Sequence, residues 1–150
     1  MAEVDSKTVL YVEDDAAYVL LVRRALQKSK LDKLPNLRVV GTTEDAVRYL
    51  LGQTPYEDTV ANPLPNLLLT DLRLPGKSGL QLLRWVREQV EFQQLPVVML
   101  TGSALDEDIK MAYELGVNFC LVKPVEVDML VSIILALSVY WIPAPTKPTI

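Results

Sequence analysis

Histidine is absent from all 150 residues, and cysteine occurs once. The first absence excludes zinc sites with imidazole ligands, Ser-His-Asp hydrolysis and phosphotransfer from a histidine of this chain. Any phosphohistidine must belong to a partner. The second excludes an intrachain disulfide framework, and the lone Cys120 points to a reducing, cytoplasmic setting. A basic excess is also lacking: 15 Lys and Arg stand against 19 Asp and Glu, a formal charge of -4. Direct nucleic-acid binding is therefore not expected. The opening MAEVDSKTV has no basic segment followed by a long apolar run, so it does not read as a secretory signal. The uncharged stretch from Met129 to Ile142 is too short to span a bilayer, and no membrane association is expected.

Half of the residues are apolar, and many fall in short runs. Thr8–Val12, Leu37–Val40, Leu67–Thr70, Pro96–Thr101 and Val117–Val122 have strand length and composition. Helical spacing separates them. It is carried by Val19, Val22 and Leu26 within Ala16–Lys28, and by Leu80, Leu83, Val86 and Val90 within Ser78–Glu91. Further helices are expected over Glu44–Leu51 behind a cap at Thr42 or Thr43, over Asp106–Leu115 up to Gly116, and from Val125 to about Tyr140. Residues 52–66, GQTPYEDTVANPLPN, predict a loop longer than an ordinary helix-to-strand connection. Strands alternating with helices predict an α/β fold, one parallel sheet buried on both faces. A single domain over 1–150 is expected, with its core at about 7–140 and a Pro-rich tail at 141–150.

In such sheets ligands sit beyond the carboxyl ends of the strands. Strand one ends in Glu13 and Asp14, strand three in Asp71, strand four in Thr101 and strand five in Lys123-Pro124. Each group alone has an ordinary role: an acid can face solvent or cap a helix, Thr101 can close a turn, Lys123 can be a surface charge and Pro124 can start a helix. Together they make a different set. Carboxylates in contact need a counter-charge, and magnesium (or manganese) supplies one through oxygen ligands. Asp14 and Asp71 are the expected direct ligands, with Glu13 direct or through water and the backbone carbonyl of Arg73 completing the set. The chemistry this suits is phosphoryl transfer to a carboxylate. Asp71 is then the nucleophile, Lys123 balances growing negative charge and Thr101 donates a hydrogen bond to phosphoryl oxygen.

The ordered pieces YVEDD (11–15), LLLTDLRLPGKSG (67–79), VVMLTGS (97–103) and FCLVKPV (119–125) resemble the receiver domain of two-component response regulators over about residues 7–140. The resemblance implies a flavodoxin-like, three-layer doubly wound (βα)5 sandwich with strand order 2-1-3-4-5. It makes Asp71 the acceptor of a phosphoryl group from a sensor histidine kinase, Glu13 and Asp14 the magnesium pair, and Thr101 and Lys123 the groups that respond to the acyl phosphate. It also implies a cis bond at Lys123-Pro124. No output domain is visible, so a stand-alone receiver signalling through a binding face is expected. The stretch AYELGVNFCLVKPV (112–125) is similar to that of short receivers serving phytochrome-type kinases, cyanobacterial ones among them. One position departs from the pattern: Cys120 stands where receivers usually carry Tyr or Phe, with Phe119 one place earlier. That leaves open a degenerate receiver acting only as a protein-interaction module. An aspartate-nucleophile phosphatase or dehalogenase would want an acid at Arg73, and a cap over its substrate.

The last helix is apolar nearly all round. Val131, Ile134, Leu135 and Val139 cannot all share one face with Met129, Leu130, Ile133 and Leu137. A second face is therefore expected to meet another copy of the chain, a homodimer through the helix 4, strand 5 and helix 5 side. Met129, Ile133, Leu137, Tyr140 and Trp141 are its expected contacts, beside the switch positions Phe119, Cys120 and Pro124.

Overall fold

Consecutive strand residues send apolar side chains to two buried faces, the pattern that a sheet covered on both sides requires. In the computed structural model, which describes residues 7–28, 36–74, 76–102, 106–123 and 126–137, the elements run β1 (Thr8–Val12), α1 (Ala16–Lys28), β2 (Asn36–Val40), α2 (Thr43–Leu51), β3 (Leu67–Asp71), α3 (Gly79–Glu88), β4 (Val97–Thr101), α4 (Asp106–Glu114), β5 (Phe119–Val122) and α5 (Val127–Leu137). A 3-10 turn, Val90–Phe92, lies between α3 and β4. The strands pair in parallel in the order β2-β1-β3-β4-β5. This is the doubly wound order expected.

Val9, Tyr11, Leu67, Leu69, Val98 and Leu100 face a core closed by α1 and α5. Leu10, Val12, Leu68, Val97 and Met99 face the opposite core, under α2, α3 and α4. Local chemistry sets the helix ends. The Thr42 hydroxyl accepts from the Asp45 N–H at the start of α2, and Gly52, in the left-handed region, ends that helix. Ser78 and Gln81 form a reciprocal capping box on α3.

Residues 52–66 form the expected loop. The Tyr49 hydroxyl donates to Pro63 O at 2.7 Å, and the Tyr49 and Tyr56 rings tilt together at 5.2 Å. The cis peptide described is Thr54-Pro55. Pro124, and with it the Lys123-Pro124 bond, lies outside the described residues.

Several expectations need correction. The third helix stops at Glu88, and Val90, expected on its apolar stripe, is 80% exposed. The chain turns there into the 3-10 segment, and Phe92 goes inward instead. Strand five begins at Phe119 and the last helix at Val127, both later than expected. On α5, Leu130 is buried together with Val131 and Ile134 rather than on a separate face.

The end of the sheet away from the site is held by Arg87, which the apolar pattern does not reveal. Its guanidinium donates to the carbonyls of Phe92, Gln93, Leu95 and Gly116 and to Asn118 Oδ1. Asn118 Oδ1 in turn accepts the Val97 N–H at 2.8 Å. Burial pulls the guanidinium below its ordinary pKa, yet it stays charged, because arginine is not deprotonated in proteins. Arg87→Ala should cost about 2–4 kcal/mol in urea unfolding by orphaning these carbonyls. Arg87→Lys should recover less than half of that, because an ammonium cannot reproduce the planar fork.

Candidate functional site

β1 and β3 are adjacent and parallel, with Val12 opposite Thr70, so Glu13 and Asp71 leave the sheet side by side. β4 and β5 follow with Thr101 opposite Val122, and the Lys123 N–H donates to Thr101 O at 2.7 Å. Register alone thus gathers the acids, Thr101 and Lys123 at one sheet edge. Carboxylate oxygens of Glu13, Asp14 and Asp71 lie within 4.8 Å of one another. Glu13 and Asp71 are buried, while Asp14 is exposed.

The Lys123 ammonium enters this cluster. Its Nζ donates to Glu13 Oε1 at 2.8 Å and to Asp71 Oδ2 at 3.1 Å. The Tyr11 hydroxyl donates to the same Glu13 Oε1 at 3.1 Å, and the Asp15 N–H approaches Oε2 at 3.4 Å. Burial alone would pull the ammonium down, but the hydrogen bonds and charges of Glu13 and Asp71 prevail and hold it above its ordinary 10.5. Burial first, then Glu13, pushes the Tyr11 phenol above its ordinary 10.0, which keeps it a donor.

The donor set fits a hard divalent cation: three carboxylates converge, and a resident cation already balances two of them. Asp15 takes the ordinary role instead. Its side chain accepts the Ala17 N–H at 3.0 Å, and its carbonyl accepts from Tyr18 and Val19 at the start of α1. Arg73 lies in the turn after β3, with its side chain exposed and its guanidinium 3.4 Å from Asp108 on α4. Thr101 is fully buried.

The chain belongs to the response regulator receiver domain family. The family model matches residues 9–135. Response regulator Rcp1 of Synechocystis sp. is 33% identical over 142 residues, which cover 95% of this chain and 93% of Rcp1. The crystal structure of the Mn(2+)-bound form of Rcp1 superposes with a TM-score of 0.73, covering 95% of this chain and 99% of that one. The phosphorylated cyanobacterial phytochrome response regulator RcpA is 28% identical with a TM-score of 0.75 (96% and 99% covered). The bacteriophytochrome response regulator RtBRR is 36% identical with a TM-score of 0.75 (95% and 84% covered). Receivers are phosphoacceptors of two-component signalling rather than conventional enzymes. This one carries the acidic cluster that phosphoaspartate formation with magnesium or manganese requires. Family membership also brings a sensor kinase as partner.

Among the positions expected to act as a switch, Cys120 is half-buried, and its N–H donates to the Tyr113 hydroxyl of α4 at 3.2 Å. Burial, then the charge of Asp108, pushes its thiol up, which disfavours the reactive thiolate. Phe119 and Met129 are exposed, whereas Ile133 packs partly against the α1 and α5 core rather than on a free outer face. Pro124, Tyr140 and Trp141 lie outside the described residues, as does the side chain of Leu137.

Four contributors escaped the sequence reading. Tyr11 sits in a strand and reads there as core, and Tyr18, whose ring centroid lies 4.0 Å from the Lys123 ammonium, falls outside the Val19, Val22, Leu26 stripe. Gly79 is needed because a Cβ there would overlap the Asp71 carbonyl oxygen, where the turn folds back with Gly79 N–H donating to Leu72 O at 2.8 Å. The buried Thr43 hydroxyl donates to Lys77 O at 2.9 Å and props the same turn from α2. Only the capping signal at Thr42 or Thr43 hinted at any of them.

Lys123→Met should destabilise the metal-free receiver by about 2–4 kcal/mol, since it leaves two adjacent buried carboxylates without their cation. Added magnesium should restore most of the loss in thermal unfolding. The ammonium's pKa is higher folded than unfolded, so its stabilisation is complete below pH 10.5 and fades as pH rises through the folded value. Alkaline titration of wild type against Lys123→Met should show the gap closing there.

Proposed function

We propose that Asp71 is the phosphoacceptor and that this chain takes its phosphoryl group from the phosphohistidine of a sensor histidine kinase. The reading rests on one observation above all: Asp71 shares the Lys123 ammonium with Glu13, inside a convergent carboxylate cluster. An Asp71 carboxylate oxygen attacks phosphorus, the P–N bond breaks, and its electron pair returns to the partner's imidazole. Lys123 balances the charge on the phosphoryl oxygens, and the Thr101 hydroxyl donates to one of them. Asp14 and Asp71, with Glu13 direct or through water and the Arg73 carbonyl, would hold magnesium or manganese, which would supply further positive charge to the transfer. No base is required, because a carboxylate arrives deprotonated.

Residues from about 7 to 140 form one receiver unit in this reading, working in the cytoplasm and signalling through a protein-binding face. A phytochrome-type kinase is the proposed donor, supported by similarity to RcpA and RtBRR. The proposed face is a homodimer contact on the α4, β5 and α5 side. Supporting it, β5 is an edge strand among the described residues, and Met111, Tyr113, Phe119, Val122 and Met129 all expose large apolar area there. The degenerate, interaction-only alternative keeps the departure at Cys120 as its support.

Incubation with beryllofluoride or acetyl phosphate plus magnesium should change the fluorescence of the two tryptophans, Trp85 and Trp141, or the intact mass, and the response should vanish in Asp71→Asn or with EDTA. A folded, unresponsive wild type would transfer the case to the interaction-only module. Light scattering at tens of micromolar should report a dimer, and Met129→Glu combined with Val122→Lys should report a monomer with unchanged circular dichroism. A wild-type monomer with and without beryllofluoride would remove the dimer.

A further inference from the structure

Lys123 has three N–H donors, and the carboxylates of Glu13 and Asp71 take two of them. The ammonium also sits 4.0 Å from the centroid of the Tyr18 ring. Tyr18 belongs to the first turn of α1, which starts three residues after Glu13, and it packs, partly buried, against the α1 and α5 core. The Lys123 side chain is itself only 16% exposed. A cation over an aromatic face in partly desolvated surroundings is held more strongly than one in open water.

The carboxylates and the ring differ in one respect that matters for transfer. Phosphorylation would turn Asp71 into an acyl phosphate, and a divalent cation held at the cluster would draw on Glu13. Each event would weaken one of the two hydrogen bonds that place the ammonium. The ring carries no net charge and changes in neither event.

We propose that Tyr18 is a positioning residue for Lys123: its ring face keeps the ammonium beside Asp71 while the carboxylates exchange partners. This deepens the phosphoacceptor reading and rests on it. Tyr18 acts through Lys123, and its ring rather than its hydroxyl carries the effect. Phenylalanine should therefore serve in its place and leucine should not.

The test uses the full chain as wild type, Tyr18→Phe and Tyr18→Leu, with acetyl phosphate and magnesium as donor and cofactor. Tyr18→Leu should be phosphorylated about fivefold more slowly by intact mass, and Tyr18→Phe within about twofold of wild type. The spectroscopic companion is the ring-current shift of the Lys123 ε-methylene protons. It should be upfield in wild type and Tyr18→Phe and ordinary in Tyr18→Leu. Equal rates in wild type and Tyr18→Leu, a Tyr18→Phe as slow as Tyr18→Leu, or unshifted Lys123 resonances in wild type would each overturn the proposal. Should wild type take up no phosphoryl group, the phosphoacceptor reading fails. The resonances then still decide whether the ring holds the ammonium.

Discussion

A single ammonium shared by two buried carboxylates is the constraint on which the rest of this receiver turns. Glu13 and Asp71 come from neighbouring strands, and both are withdrawn from water. Two such charges repel unless a cation stands between them. Lys123, brought from the far edge of the sheet on β5, supplies that cation over 110 positions of sequence. The site is therefore a charge balance, and a divalent ion or a phosphoryl group joining Glu13 and Asp71 would redistribute the same contacts.

The scaffold gives that balance its precision. Parallel register sets Glu13, Asp71, Thr101 and Lys123 at one sheet edge. Gly79 lets the turn after Asp71 close against the strand, and Thr43 holds that turn from α2. Tyr11 supports Glu13 from the core beneath. At the opposite end of the sheet, Arg87 ties the chain following α3 to the turn before β5 with hydrogen bonds to backbone carbonyls and to Asn118 Oδ1. One end carries charges in tension and the other a fixed polar clamp. Such a division suits a domain whose chemistry must be mobile at one edge without loosening the sheet.

The outer side of β5 is chemically different again. Its strand exposes Phe119 and Val122, and the neighbouring helices add Met111, Tyr113 and Met129. Arg73, two residues past Asp71, reaches Asp108 on α4, and Tyr113 of the same helix accepts from the Cys120 N–H. Helix α4 thus touches both the turn beside the site and the strand that carries Lys123. These contacts run through exposed or half-buried groups, so they are weaker than the core and easier to rearrange.

By itself the sequence determined the strand count and order of elements, because apolar runs and helical stripes are local signals. It also determined which residues end the strands, and so named Glu13, Asp14, Asp71, Thr101 and Lys123. Boundaries were less legible: the helical stripe suggested that Val90 would be buried, yet helix α3 stops at Glu88 because tertiary packing favours Phe92 in the core. Tertiary structure alone decided that Lys123 reaches both acids, that Tyr11 meets Glu13 and Tyr18 meets Lys123, that Gly79 must lack a side chain and that Arg87 binds carbonyls and an amide oxygen. The reason is physical. A periodic pattern reports which way a side chain faces its own element, whereas a shared charge or a close approach exists only when distant segments arrive together.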